Sequence, residues 1–280
     1  MGAARVGAAE LERSVQHRKL MDQLFVLAGM IVLFASLLTL ALLFLKLVHD
    51  GSARFGWDFF TSFPSRNAGR AGILSAWVGT CLVMLVTVAV AMPVGVAAAI
   101  YLEEYASKNW LTAIIEINVT NLAGVPSIIY GLLALGLFVY KFNLGQSIAA
   151  AGLTLALLIL PIVIVATREA IRSIPAAIRE GSMALGATKW QTVRHHIVPY
   201  SMSGILTGVI IGLARAIGET APIITIGALT FIACLPPSPI GAEPPFINFE
   251  WLMSPFTVMP IQMFNWTSRP EAAFQVNAAA

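Results

Sequence analysis

Long apolar runs separated by short polar stretches dominate the chain, and five of them approach or exceed the roughly 20 residues that cross a hydrocarbon layer as a helix. They lie at Leu24 to Val48, Ala71 to Leu102, Ile114 to Tyr140, Ile148 to Ala166 and Ser201 to Leu235. The second, third and fifth are longer than a straight crossing needs, so tilt, kinks or extension beyond the membrane must absorb the excess. Pro93 with Gly95, Gly124 with Pro126, and Pro222 are the expected kink sites, because proline removes a helix hydrogen bond. A charged tail precedes the first run, with no short apolar core and small-residue cleavage site, so the run reads as an anchor and not as a removable signal.

Between the fourth and fifth runs the pattern changes. Glu180 to Pro199, EGSMALGATKWQTVRHHIVP, is a polar, basic island in an apolar chain. Ser173 is expected to cap a short helix opened by Ile174-Pro175, since serine accepts from a free N–H and proline tolerates a first turn. Gly186 permits a turn that side chains resist, and Thr188 with Gln191 forms the pattern of a capping box for a second short helix. Pro199 is expected to end that helix. The two would lie near the membrane surface and expose Arg179, Glu180, Lys189, Trp190 and Arg194. From the pattern alone the island is either an interfacial amphipathic loop or a surface for a partner.

Composition agrees with an all-α polytopic membrane protein: 58% hydrophobic and 11% charged residues over 280, with mean hydropathy +0.82. Membrane lipid is its surroundings, and a net charge of +3 from scattered residues does not suggest nucleic acid. Cys81 and Cys234 lie in or beside apolar runs and offer neither a disulfide framework nor a zinc site. The distribution of basic residues favours a cytoplasmic N-terminus. In that orientation Arg5, Arg13, Arg18, Lys19, Lys108, Arg168, Arg172, Arg179, Lys189 and Arg194 are inside, and Lys46, Arg54, Arg66, Arg70, Lys141 and Arg269 outside. The Glu180 island then faces the cytoplasm. After five runs, the segment Pro236 to Pro270 and the C-terminus are outside, and the chain stops at Asn277-Ala-Ala-Ala280 on what reads as an approach to a further helix.

A second candidate site is Arg215-Ala-Ile-Gly-Glu219-Thr220-Ala-Pro222 in the fifth run. An arginine in hydrocarbon costs roughly 2.5 to 3.5 kcal/mol on insertion scales, so it should face protein or a water-filled path. Four residues separate Arg215 from Glu219, which places them on one helical face. The pair reads either as a structural tie between helices or as a planar fork of donors for an oxyanion, with Glu219 holding the fork. Gly204, Gly208, Gly212 and Ala216 recur every four residues and would let another helix approach closely. Pro222 leaves the Gly218 carbonyl without its usual partner, so a bend is expected just past the charged pair.

Other polar residues carry less. Adjacent His195 and His196 point in different directions on a helix and so read as solvated residues, not as a shared metal site. Glu116, Asn118 and Asn121 read as groups satisfying neighbouring helices, and Glu103 and Glu104, at the end of the second run, as solvated. No Ser, His and Asp constellation and no HExxH helix appears, so the chain does not read as an enzyme.

Glu180-Gly-Ser182, Gly186 and Ile197-Val-Pro199 resemble the EAA loop of permease subunits of bacterial ABC importers. Gly181 and Ser182 replace its two alanines, His196 stands where isoleucine is expected, and Val198 replaces leucine. The longer run GSMALGATKWQTVRHHIVP, with GILTGVIIGLARAIGETAPIITIGA after it, is similar to PstA-type permeases of phosphate importers. Tyr101-Leu-Glu-Glu-Tyr105 and Asn121-Leu-Ala-Gly-Val-Pro-Ser127 extend the likeness, which covers about Ala71 to Arg269. It implies the type I ABC importer permease fold of six helices, of which five are read here. The tail, first helix and outer loop would occupy residues 1–70, and the permease domain residues 71–280, with a coupling loop at 173–199. The resemblance further implies a PstC-type second permease, a PstB-type ATPase dimer and an external PstS-type phosphate-binding protein as partners, in the bacterial cytoplasmic membrane. Arg179 and Glu180 would then make polar contacts with the ATPase, Ala184 and Leu185 the apolar contact, and Gly186 the turn. This chain has no GxxxxGK[ST] phosphate loop, so ATP and Mg are expected on the ATPase and no cofactor on this chain. Arg215, Glu219 and Thr220 would line the substrate path; separately from the resemblance, the carboxylate chemistry of Glu219 suits it to accept the proton of hydrogen phosphate that ionised sulfate lacks. A permease for another oxyanion, and a non-conducting subunit docking an ATPase or kinase for sensing, remain the alternatives.

Overall fold

The computed structural model describes residues 2–107, 109–239 and 248–280, the side chains of residues 2–14 excepted. Lys108, the side chains of Arg5 and Arg13, and residues 240–247 of the proline-bearing segment lie outside the described residues. Every regular element among the described residues is helical. By internal contacts the chain divides into Met1–Phe55 with Ala279 and Ala280, and Gly56–Ala278. The first unit is built on α1, Gly2–Gly51, whose apolar side chains from Val15 to Val48 are all exposed. A helix apolar on every side suits a lipid environment.

The second unit begins at Gly56. The short helix α2, Trp57–Thr61, is stitched to the start of α3, Leu74–Ile100. Ile73 N donates to Phe59 O at 2.9 Å and Trp77 Nε1 to Phe60 O at 3.0 Å. Beyond α3 lie α4, Trp110–Leu122, α5, Ser127–Ala134, and α6, Ile148–Arg172. They are followed by α7, Ala176–Ala184, α8, Lys189–Thr192, α9, Val198–Gly218, and α10, Ala221–Ile226. Two helices close the chain, α11 at Met259–Thr267 and α12 at Ala272–Ala279. Asn277, read in the sequence as the approach to a further helix, lies within α12 and donates to Ala68 O at 2.9 Å.

The most buried of these helices is α6, with α3 and α9 packed against it. Small residues set the approach. A Cβ at Gly204 would stand 2.6 Å from Ala170 Cβ, one at Gly208 would meet Ala166 Cβ, and one at Gly212 would touch Ile159 at 3.4 Å. As the α9 number rises the α6 number falls, so the two helices run antiparallel. A second small-residue stripe, Gly79, Val83, Thr87, Ala91, Gly95 and Ala99, is buried on α3. There a Cβ at Gly95 would meet Val163 Cγ1 at 2.8 Å, and Thr87 donates across to Gly152 O at 3.2 Å. Without water to drive association, backbones must come close enough for dispersion and hydrogen bonds to hold the helices together.

Among the described residues four helices are long and apolar enough to cross a membrane, and α4 with the stretch Ser127–Lys141 that α5 opens, bent by 105°, makes a fifth if counted as one broken span. The break falls at Gly124 and Pro126, as expected. Pro199 and Pro222 act differently from what the sequence suggested. α3 continues through Pro93 to Ile100, before a π-helical turn at Tyr101–Tyr105. Helix α6 passes Pro161 and runs on to Arg172, beyond the anticipated Ala166. Pro199 ends nothing: Lys189–Gly218 is one helical stretch. A π turn at Val193–Ile197, closed by Val198 N donating to Val193 O, widens the helix just ahead of Pro199 and takes up its ring and missing donor. Pro222 does not bend a long fifth span to Leu235. The helix stops at Gly218, Glu219 is extended, and Pro222 sits in the first turn of α10, where its fixed φ and absent donor cost nothing.

Because Gly208 has no room for a side chain and Gly29 on α1 has open space, Gly208→Val is expected to destabilise the chain by about 1–3 kcal/mol relative to Gly29→Val. Thermal unfolding midpoints of the two variants in one detergent give the comparison.

Candidate functional site

The polar island folds into a compact knob. α6 ends at Arg172, and Ser173 closes it instead of capping α7: its Oγ donates back to Ala170 O at 2.8 Å, which leaves Pro175 as the residue before α7. Gly186 makes the turn between α7 and α8 with φ of +87°, a conformation glycine adopts without strain. The capping box is present, Thr188 Oγ1 accepting from Gln191 N at 3.3 Å and Gln191 Oε1 from Thr188 N at 2.8 Å. A buried hydroxyl pair, Ser182 and Thr192, joins α7 to α8 at 3.0 Å. Beneath them Ile171, Ile174, Val193 and Ile197 form an apolar cluster. Glu180, Ala184 and Gly186 are exposed on the outside, and Leu185 at the tip is 91% exposed. Lys189, Trp190, Arg194, His195 and His196 are exposed as well.

Arg179 departs from the expected exposed contact. It turns inward, its Nε donating to Glu104 Oε1 at 2.9 Å and its two Nη groups to Ile174 O and Ile171 O, each at 2.9 Å. The last carbonyls of α6 lack intrahelical partners, and a five-donor guanidinium reaches them and a carboxylate together. Glu103 and Glu104 are therefore not solvated. Glu103 accepts from Arg168 Nε at 3.3 Å and from Arg172 Nε at 2.9 Å, and the Glu104 side chain is only 8% exposed. Glu116 of α4 completes the cluster, 2.7 Å from Arg168 Nη2 in a charge contact that is not aligned as a hydrogen bond. Asn118, by contrast, bonds its own helix at Ile114 O. Glu116 and Asn121 line a cleft of about 400 Å³ with Thr120, Arg168, Glu169 and Arg172. The charges around that cleft already answer one another, so it does not select an ion of either sign.

At the far end of α9 the structure keeps Arg215 and Glu219 together, although not as two residues on one helical face. Arg215 is in the last turn, where a cation complements the helix dipole. Glu219 lies just past the helix end and accepts from Arg215 Nε at 3.4 Å. Among the described residues Arg215 makes no other hydrogen bond, which leaves both Nη groups able to donate. Its side chain is 41% exposed, and Thr220 beside it is half-buried. Tyr130 of α5 is within electrostatic reach of Arg215 and donates to Leu122 O at 2.8 Å across the α4–α5 break. Two interrupted helices thus meet near the pair: α5 crosses α10 so closely that a Cβ at Gly131 would stand 2.6 Å from Pro222 Cα. The sequence reading passed over Tyr130; its place three residues into the helix after the Gly124-Pro126 break was the available signal.

Residues 91–240, which contain both the knob and Arg215, match the family described as binding-protein-dependent transport system inner membrane component. The probable ABC transporter permease protein YqgI of Bacillus subtilis is 31% identical over 252 residues, 89% of this chain and 80% of that protein. The phosphate transport system permease protein PstA of Yersinia pestis is 32% identical over 241 residues, 85% of this chain and 81% of that one. The phosphate transport system permease protein PstA 1 of Mycobacterium tuberculosis is 37% identical over 163 residues, 58% of this chain and 53% of its own length.

The cluster at the end of α6 makes its own stability forecast. Removing one member of a buried ion pair strands the other, at roughly 3 kcal/mol or more when both are dry. Here Glu116 is partly exposed, so Arg168→Met is expected to cost about 2–3 kcal/mol, and adding Glu116→Gln to recover about 1 kcal/mol of it. A double-mutant cycle on unfolding midpoints measures that coupling.

Proposed function

We propose a transport function on one premise: the chain belongs to the family of binding-protein-dependent transport system inner membrane components. It is a multi-pass membrane subunit of such a system. Its assignment here is the permease of an ATP-driven phosphate importer. The observation that carries the phosphate reading is the alignment of 85% of the chain with a permease named for phosphate transport. In this reading the chain forms half of the translocation path with a homologous second permease. A two-copy ATPase, holding ATP and Mg, docks on the exposed tip at Leu185, and an external binding protein delivers phosphate. The N-terminus and the knob face the cytoplasm, in keeping with the bias of basic residues. The chain itself catalyses nothing; it converts ATPase closure into helix displacement.

The site chemistry suits that role. A knob held by two helices, a hydroxyl bridge and an apolar cluster moves as one body, so a push at its tip reaches the membrane helices without being absorbed by loop motion. Near the far end of α9, Arg215 offers two free Nη groups to an oxyanion, while Glu219 holds its Nε side. The remaining oxygen of Glu219 accepts the proton of hydrogen phosphate. Fully ionised sulfate has no such proton and meets only the repulsion of the carboxylate.

Vesicles holding the complete complex are expected to accumulate labelled phosphate when ATP is supplied. ATP hydrolysis with no phosphate uptake overturns the transport reading, and uptake of sulfate in place of phosphate overturns the substrate. Glu219→Gln is expected to reduce the preference for phosphate over sulfate about tenfold, equivalent to ~1.4 kcal/mol. An unchanged preference removes the proton-acceptor role. Leu185→Asp should weaken retention of the ATPase at least tenfold, measured by co-purification, since it places a charge at the centre of an apolar contact.

A further inference from the structure

The π turn Tyr101–Tyr105 at the end of α3 is gripped three times, by three different elements. Glu103 holds Arg168 and Arg172 of α6. Glu104 holds Arg179 of α7. The ring of Tyr105 carries the Lys189 ammonium of α8 at 5.2 Å from its centroid. The first grip ties two membrane helices that pack on each other, but the other two reach the knob, which the chain joins to α6 and α9 and whose apolar cluster meets α3 at Ile100. We propose that this turn is the receiver through which displacement of the knob reaches α3, and that Glu104 with Arg179 is the positioning pair that makes the transfer stiff. The inference rests on the coupling role proposed above for the knob.

A carboxylate as covered as Glu104 would be unfavourable unless met by a guanidinium, and the guanidinium that meets it is anchored on the Ile171 and Ile174 carbonyls. Pulling α7 away from α3 would therefore strand a buried charge, so over small displacements the two move as one. An exposed pair in the same place would yield for a fraction of that cost. The π turn itself contributes: one extra residue in the last turn presents Glu103 and Glu104 to different partners, α6 and α7.

Glu104→Gln removes the charge and keeps the shape. In vesicles with the complete complex, ATP hydrolysis by the variant is expected to stay within about twofold of the parent, while phosphate moved per ATP falls about tenfold. Glu104→Asp should recover part of that ratio. Lys189→Ala, at an exposed position that does not threaten folding, is expected to lower the ratio about twofold and carries the test if the Glu104 variant fails to assemble. A proportional fall of hydrolysis and transport, or an unchanged ratio in the variants that assemble, overturns the proposal. Failure of the parent complex to transport at all instead defeats the function proposed above, so the two failures are separable.

Discussion

Arg168 is drawn between carboxylates from two other helices, and the arrangement of one end of the bundle follows from that need. A guanidinium this deep in a low-dielectric setting must be met by charge, and the two that meet it come from α3 and α4. Once Glu103 is committed to α6, the adjacent Glu104 points elsewhere and is answered by Arg179. Arg179 in turn satisfies the carbonyls at which α6 stops, which fixes where α7 leaves it. The fold of the knob is thus partly dictated by electrostatics beneath it, and only its outer face is left free for recognition.

Along the helices the controlling quantity is backbone distance. The α3 and α9 stripes bring both helices onto α6 at separations where a single methyl would clash. Side-chain interdigitation, the usual source of specificity in a water-soluble core, is reduced at these crossings, and register is set by where the small residues fall. Such interfaces suit sliding or rocking of whole helices, because few interlocked side chains need to change rotamer.

Much of this was legible in the sequence because it depends on local or periodic properties. The apolar runs, the α9 stripe, the Gly186 turn, the Thr188–Gln191 capping box and the break at Gly124 and Pro126 each rest on residues a few positions apart. What was not legible depends on partners distant in the chain. Arg179 reads as a surface residue until Glu104, 75 residues away, is beside it. Glu103 and Glu104 read as solvated for the same reason. The proline errors have another origin: Pro199 is absorbed by a π turn and Pro222 opens a new helix, outcomes set by the spacing of backbone donors and not by residue type. The α3 stripe escaped notice because Val83 and Thr87 stand in it where glycine or alanine would have marked the period.

The two candidate sites lie at opposite ends of one rod. From Lys189 to Arg215 is 26 helical rises, roughly 39 Å at 1.5 Å each, longer than the ~30 Å hydrocarbon core. With the knob at one surface, Arg215 lies toward the other, and a small tilt of α9 at its base becomes a larger lateral shift at its tip. The rod ends at Gly218, three residues past Arg215, where Glu219 and α10 leave it, so such a tilt would carry the guanidinium with the tip while α10 is held by its packing on α5. A tilt of a few degrees would then change how far Arg215 stands from Tyr130 without unpacking either helix pair. In the coupling role proposed for the knob, the break at Gly218, which the sequence presented as a bend, would let one end of α9 answer the knob while the residues beyond it hold still.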